Sequence, residues 1–535
     1  PNPKAPTITT ITPIGVQPGS KVTVTITGKN LASPTGVWTS SGATASIPTD
    51  KNNGKSATSL RVVLDVPKDA TMGAHLLRVS TTQGMSTGKV FCIDSLPTIS
   101  ESRSNHSLAT AQPIKAPCVI DGYTDGSQRD YFRFTAKAGE RLSFDVLARR
   151  IGSPLDPQIT LYHAESGREV GGAHSSDAKG LQTDARLTWR FEEAGDYIVQ
   201  IRDVIYRGGG TYQYQLRVGD FTCATTQIPM AAQRGSKVTL QFAGSQTEGI
   251  TETIIVPKSD QAAIQVTPKS KTGLAGWPVS LLLSDTPEAV EKEPNDDSAK
   301  ATRIAVPGAA SGRFLTKGDR DTFVFTAKKG KRLKIDAMTQ RLFSPTEVYL
   351  TIRDAKGKQL LVSNPAKAPT LSFAPPADGD YFLTVEHLHY WFGPEESYRI
   401  VIDSPIAGFA LEANLDRFDA VQGKPFTVAI LTTRQGHKGP IEVSVIGNPA
   451  LSGKVTIKPG IPKKAGAAGA NLQITVKAGT PPGPLTFQIQ GTATISGKTF
   501  VTKVEATATV KAMMANLPFP PTEFLTNLAV AVKSK

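Results

Sequence analysis

The chain has 535 residues, with 60 Lys and Arg against 46 Asp and Glu, a formal net charge of +14. That length leaves room for several domains of ordinary size, and no apolar run approaches the roughly 20 residues needed to span a membrane. The 47 glycines and 38 prolines are scattered as turn-rich all-β chains require, and three cysteines exclude a disulfide-stapled scaffold.

The chain opens Pro1-Asn2-Pro3, without an initiator Met or an apolar leader. This predicts a removed leader and an exported protein. PIGVQPGSKVTVTITG (13–28) then alternates as a strand, and PMAAQRGSKVTLQFAG (229–244) repeats it, with a looser echo in FDAVQGKPFTVAIL (418–431). Cys92, Cys118 and Cys223 each fall in an apparent strand and read as buried small hydrophobes rather than partners in a disulfide.

RDYFRFTAKAGERLSFDV (129–146) and RDTFVFTAKKGKRLKIDA (320–337) are near copies. Phe132, Phe134, Leu142 and Phe144 alternate with polar residues around a turn containing Gly139, as do Phe323, Phe325, Leu333 and Ile335 around Gly330. This predicts a β-hairpin in each copy with one buried face. ARLTWRFEEAGDYIVQIRD (185–203) matches PTLSFAPPADGDYFLTVEH (369–387), and Tyr206 and Tyr214 fall on Tyr390 and Tyr398. Residues 287–303 read as a linker, because their acids and Asn-Asp favour turns, and residues 459–470 read as a loop insertion.

Repeats at this spacing are whole domains. The expectation is an all-β chain of tandem β-sandwich domains in A-B-A-B-A order, immunoglobulin-like and jelly-roll-like, with little or no helix. The boundaries are 1–97 (A), 98–220 (B), 221–288 (A), 289–404 (B) and 405–512 (A), followed by an apolar segment, 513–535.

Three features carry a resemblance: the lead-in EKEPNDDSA (291–299), the D-x-F-x-F-x-A-x-x-G-x-R-L phrase and the late G-D-Y strand. Segments 101–220 and 291–404 resemble the bacterial pre-peptidase C-terminal domain, a jelly-roll-like sandwich. The A segments resemble immunoglobulin-like domains, the first of the IPT/TIG type through its P-x-G-x-x-x-G-S-x-V-T-V opening. The resemblance implies a secreted peptidase accessory domain or a surface protein with no catalytic domain.

Glu291, Glu293, Asp296 and Asp297 precede the second B segment, and Asp319 and Asp321 open its repeated phrase. Clustered hard oxygens suit Ca²⁺, which takes six to eight oxygen ligands, and the resemblance to collagenase-associated domains implies calcium at this lead-in. In the first B segment Arg103 stands where Glu293 does, His106 and Ser107 where Asp296 and Asp297 do, and Gln128 where Asp319 does. A guanidinium in a calcium shell is repulsive, so this copy is expected to be metal-free.

No H-E-x-x-H, G-x-S-x-G, Walker loop or G-x-G-x-x-G after a strand occurs, so the chain reads as non-catalytic. His387 and His389 share a strand face and read as a polar strand end beside the aromatics that follow. Tyr390, Trp391 and Phe392 sit in a loop closed by Gly393-Pro394. They cannot all face one core, which makes them the candidate binding site for protein or sugar.

The basic balance favours polyanions such as acidic envelope polysaccharide, while nothing resembles a nucleic-acid reading module. The densest basic run, Lys328 to Lys334, lies on a predicted turn whose charges alternate between faces. Residues 513–535 hold Leu517, Phe519, Phe524, Leu525, Leu528 and Val530 among three prolines, so they cannot be one helix. They must be buried, and Leu528 to Lys533 could add a strand to a sheet edge. The resulting expectation is an exported, non-catalytic envelope or extracellular β-scaffold holding a span. The alternative is an accessory subunit of a secreted hydrolase, with a protein partner or a homo-assembly in either case.

Overall fold

The structure is a computed structural model describing residues 2–50, 52–405, 407–459 and 469–534. It is all-β: strands run throughout, and among the described residues helix is confined to short 3-10 turns and the segments Thr507–Met513 and Thr522–Leu525. No helix among them is long and apolar enough to cross a membrane. The three cysteines are free and buried.

The two B segments share one topology. In the first, one sheet orders 98–100, 118–123, 213–219, 141–147 and 186–190, and the facing sheet orders 112–113, 130–136, 195–203, 157–163 and 169–175. The second repeats this with 288–290, 308–313, 397–403, 333–338 and 370–373 facing 302–303, 320–327, 379–387, 348–353 and 359–362. In both, the short first strand of each sheet pairs parallel and the longer neighbours pair antiparallel.

The repeated phrase is not a hairpin. Asp130–Ala136 and Arg141–Leu147 belong to opposite sheets, as do Arg320–Ala327 and Leu333–Met338. Alternation and a glycine turn are common to a hairpin and to an arch that crosses from one sheet to the other. Both bury the same face, so period-2 patterning cannot tell them apart. The predicted core is where alternation placed it: Phe132, Phe134, Leu142 and Phe144 fill one sandwich, and Phe323, Phe325, Leu333 and Ile335 the other. The partner of each phrase is the G-D-Y strand, with Phe134 opposite Tyr197 and Phe325 opposite Tyr381.

Residues 287–303 are not a linker. Glu288–Val290 and Thr302–Arg303 are the opening strands of the two sheets, and Ser298–Lys300 is a 3-10 turn capped by Asp297. Of the loop expected at 459–470, residues 460–468 lie outside the described residues.

The A segments differ more. Residues 7–65 supply a four-stranded sheet of the first and residues 15–93 a five-stranded one, and two three-stranded sheets form the middle one. In the last, a single ten-stranded sheet wraps around one core containing Phe426, Phe487 and Val530. Thr507–Met513 is helical: Val510 points into a core shared with other modules, and that packing overrides the β preference of its threonines. Leu528–Lys533 is a strand, parallel to Arg417–Val421 and antiparallel to Gly483–Phe487. It is inserted between the two rather than added at an edge.

The modules do not form an extended series. Val510, Met514, Leu517, Phe524 and Leu525 share one apolar cluster with Ile14, Leu76, Leu147 and Ile151, and Trp277 and Phe343 pack against it. All five modules therefore meet there. Polar links reinforce the closure: Arg217 donates to Asp94 at 2.7 Å with both side chains fully buried, Gln213 donates to the Ile11 carbonyl, and the exposed Lys179 pairs with the buried Glu396. A span of modules in line is replaced by a folded-back body.

Candidate metal centre

The site forms where the lead-in strand crosses the second B sandwich. Glu288–Val290 runs parallel to Gly308–Arg313, which places Glu291 beside Arg313, and Glu291 Oε1 accepts from the Arg313 backbone N–H at 2.7 Å. Asp321, fully buried at the start of its strand, accepts from the Tyr398 hydroxyl, which also donates to Glu291 Oε2 at 3.3 Å. Gly312 admits this packing: a Cβ there would lie 2.3 Å from both Glu291 Oε2 and the Tyr398 hydroxyl. Glu291, Glu293 and Asp321 thereby place one carboxylate oxygen each within 4.8 Å of one another.

Electrostatics marks the cluster. Burial pushes the Asp321 carboxyl well above the usual range, with the charge of Glu291 adding to it. Burial likewise pushes Glu291 up to about 8, with Glu293 and Asp319 contributing, and Glu293 is raised for the same reasons. Asp321 Oδ1 and both polar atoms of the Asn295 amide are buried without a hydrogen-bond partner. Buried oxygens of one sign with unfilled lone pairs fit a hard divalent cation. A bound ion would supply the missing positive charge and tie the lead-in segment carrying Glu291 and Glu293 to the strand Arg320–Ala327 carrying Asp321.

The six acids separate. Glu291, Glu293 and Asp321 converge. Asp319 stands close enough to raise their proton affinities, but its Oδ2 accepts from the Leu315 and Thr316 N–H groups and caps a turn. Asp297 accepts from the Ala299 and Lys300 N–H groups as an N-cap, a use that competes with ligation. Asp296 is exposed, and it is its carbonyl that meets Thr322. Asn295 was missed by a reading that sought acids. Its signal was the matching Asn105 in the first copy, equally buried.

The first B sandwich builds the same frame. Tyr214 donates to Asp130 at 2.8 Å, a Cβ on Gly122 would meet Tyr214 and Glu101, and Glu101, His106 and Asp130 form a second cluster of the same size. Here Arg103 enters. Its guanidinium donates to Glu101 at 2.8 Å, to the Tyr123 carbonyl at 2.9 Å and to Asp125 at 3.2 Å. Positive charge lies against the glutamate that corresponds to Glu291.

The aromatic loop adjoins the acid cluster. Tyr390, Trp391 and Phe392 are 70%, 54% and 51% exposed. The loop is tied to the strand end beside the acids, since Gly393 N–H donates to the Phe314 carbonyl and Phe314 N–H to the Glu396 carbonyl. His387 is buried against Glu396 at 3.2 Å, and His389 meets Glu347 at 3.1 Å. Both imidazoles pack on Trp391. The two histidines support the loop. Their carboxylate partners come from other segments and were not legible beside them. Ile205 and Tyr206 are exposed at the corresponding loop of the first copy.

Residues 319–387 match the bacterial pre-peptidase C-terminal domain family. A protein of Deinococcus radiodurans described as a probable subtilase-type serine protease is 30% identical over 131 residues, 23% of this chain and 18% of that protein's length. The pre-peptidase C-terminal domain of a collagenase from Bacillus anthracis aligns at 19% identity and a TM-score of 0.16, covering 20% of this chain and 93% of that one. The insect immune protein hemolin aligns at 12% identity and a TM-score of 0.20 over 99% and 100% of the two chains. This all-β chain contains one bacterial pre-peptidase C-terminal domain, at residues 319–387.

Proposed function

We propose that the protein is an exported, non-catalytic β-scaffold that docks a protein or carbohydrate partner at the cell envelope or outside the cell. In this reading calcium at Glu291, Glu293 and Asp321 holds the docking loop in place. The first B sandwich is a second domain of the pre-peptidase C-terminal type, and the A modules are immunoglobulin-like, the first of the IPT/TIG type. The observation that supports the reading most is the direct hydrogen bonding between the exposed Tyr390-Trp391-Phe392 loop and residue 314, one position beyond the Arg313 amide that Glu291 holds. Consecutive exposed aromatics on a supported loop suit a docking surface.

The test is co-sedimentation of the full chain with purified envelope fractions in calcium and in chelator. Retention in calcium, lost in chelator and lost in a Tyr390→Ser, Trp391→Ser, Phe392→Ser variant of unchanged melting temperature, is the expected result. Retention indifferent to all three changes overturns the reading. The local similarity to a subtilase-type protease supports a second reading, an accessory subunit whose catalytic domain lies on another chain. That reading predicts co-purification with a peptidase activity that the chain alone lacks.

A further inference from the structure

Where the five modules meet they surround a cavity of about 1400 Å³. Ordinary small-molecule pockets occupy roughly 300–1,000 Å³ and favour domain junctions, so this one has room for an oligomer.

Its wall pairs aromatic rings with neutral amides. Trp38, Trp277 and Phe343, from three different modules, line it and are half-buried. Phe343 ends a 3-10 turn at φ +59°, where the corresponding residue of the first B sandwich is Gly152 at φ +82°. A bulky side chain in the left-handed region is held against its own preference, and here the strain sets a ring on the wall. Gln265 lies opposite Ser280 on neighbouring strands and donates to it at 2.9 Å. Val266 and Val279 turn to the core, so this polar pair faces outward. Gln490 likewise follows the buried Ile489 and faces the cavity.

The charges on the wall are largely spent. Of its four cations, Arg150 is paired with Asp145 and Asp184, Arg234 with Asp285 at 2.8 Å, and Lys503 with Asp260 at 2.8 Å. The chain's net positive charge is therefore not offered here to a polyanion. Glu523 is open to the cavity's water while protein surrounds it, and burial raises its proton affinity against the pull of Gln265. A ligand recognised by such a wall has ring faces bearing C–H groups for stacking and hydroxyls that both donate and accept, as a planar amide does.

We propose that this cavity binds a neutral oligosaccharide, its sugar rings stacked on Trp38 and Trp277 and its hydroxyls paired with the amides of Gln265 and Gln490. The site is separate from the Tyr390 loop and stands whether or not that loop docks a partner. Titrating the full chain with cellotetraose, xylotetraose, mannotetraose and chitotetraose, by calorimetry and tryptophan emission, tests it. At least one is expected to bind, with affinity reduced tenfold or more in Trp277→Ala and in Gln490→Ala. Gln490→Ala alters an outward-facing side chain and keeps the melting temperature, so lost binding there is not lost folding. Silence from all four sugars up to millimolar concentration, or binding that ignores Gln490→Ala, overturns the proposal. So does Gln490-dependent binding of a tryptic casein digest in place of sugar.

Discussion

Arg78 and Asp416 stand 338 positions apart in sequence and 2.7 Å apart in space, both buried, so that an ion pair joins the first module to the last. Removing one partner of a buried pair strands the other charge, which typically costs about 3–5 kcal/mol. Asp416→Ala is expected to lower the unfolding free energy by an amount of this order in denaturant titrations. Arg78→Met with Asp416→Leu together is expected to recover most of it, since apolar isosteres remove the stranded charge.

The acid cluster makes a pH prediction with a definite sign. An unfolded Glu titrates near about 4.3, and Glu291 in the folded chain near about 8. Between these values the folded state holds a proton that the unfolded state has lost, so metal-free stability falls as pH rises and levels off above the folded value. Asp321, also raised, acts in the same direction. Thermal melts in chelator across this window are expected to decline, and melts in calcium to stay flat. A chelated protein that grows more stable from pH 5 to pH 8 refutes the account.

Arg103 predicts a conversion. Its guanidinium supplies, beside Glu101, the positive charge that an ion would supply beside Glu291. Arg103→Glu restores the second copy's pattern, and calorimetry is expected to show one more calcium equivalent than the parent chain. Gly312→Ala is expected to abolish binding at the second site, because its Cβ would overlap Glu291 and Tyr398.

Chain truncation after Ala512 removes the strand Leu528–Lys533, whose Leu528, Val530 and Val532 lie in the last core. Each such buried side chain contributes roughly 1.5–3 kcal/mol. The truncated protein is expected to lose the fold of its last module, seen as loss of the latest-exchanging amides in 408–505, and not merely a docking surface. Full retention of stability would show the segment to be dispensable.

Much of this was readable from alternation, and its limits have a physical cause. Phe132 and Phe134 announced a buried face because period 2 fixes which side of a strand is inside. The same period says nothing about which sheet the next strand joins, so the arch read as a hairpin. The acids at 291–297 were visible as a group, yet the geometry divides them: Glu291 and the exposed Glu293 converge on Asp321 while Asp297 caps a turn. Local hydrogen bonding of Asp to its own backbone is a competitor that spacing cannot weigh. The helix Thr507–Met513 and the cavity were illegible for one reason. Both depend on packing between residues hundreds of positions apart, such as Val510 and Ile14 in one apolar cluster.

The inserted strand has a consequence for how the protein comes into being. Among the described residues Arg417–Val421 has no strand neighbour other than Leu528–Lys533, and the helix before that strand seals the joint among all five modules. Both lie downstream of everything they close over. A nascent chain threading out of the ribosome or through an export channel can complete its first four sandwiches in turn. The last must wait with an open sheet and uncovered apolar side chains until residue 533 has emerged. Final assembly is thus timed by the end of this segment, and during that interval the chain is most open to aggregation, proteolysis or capture by a chaperone.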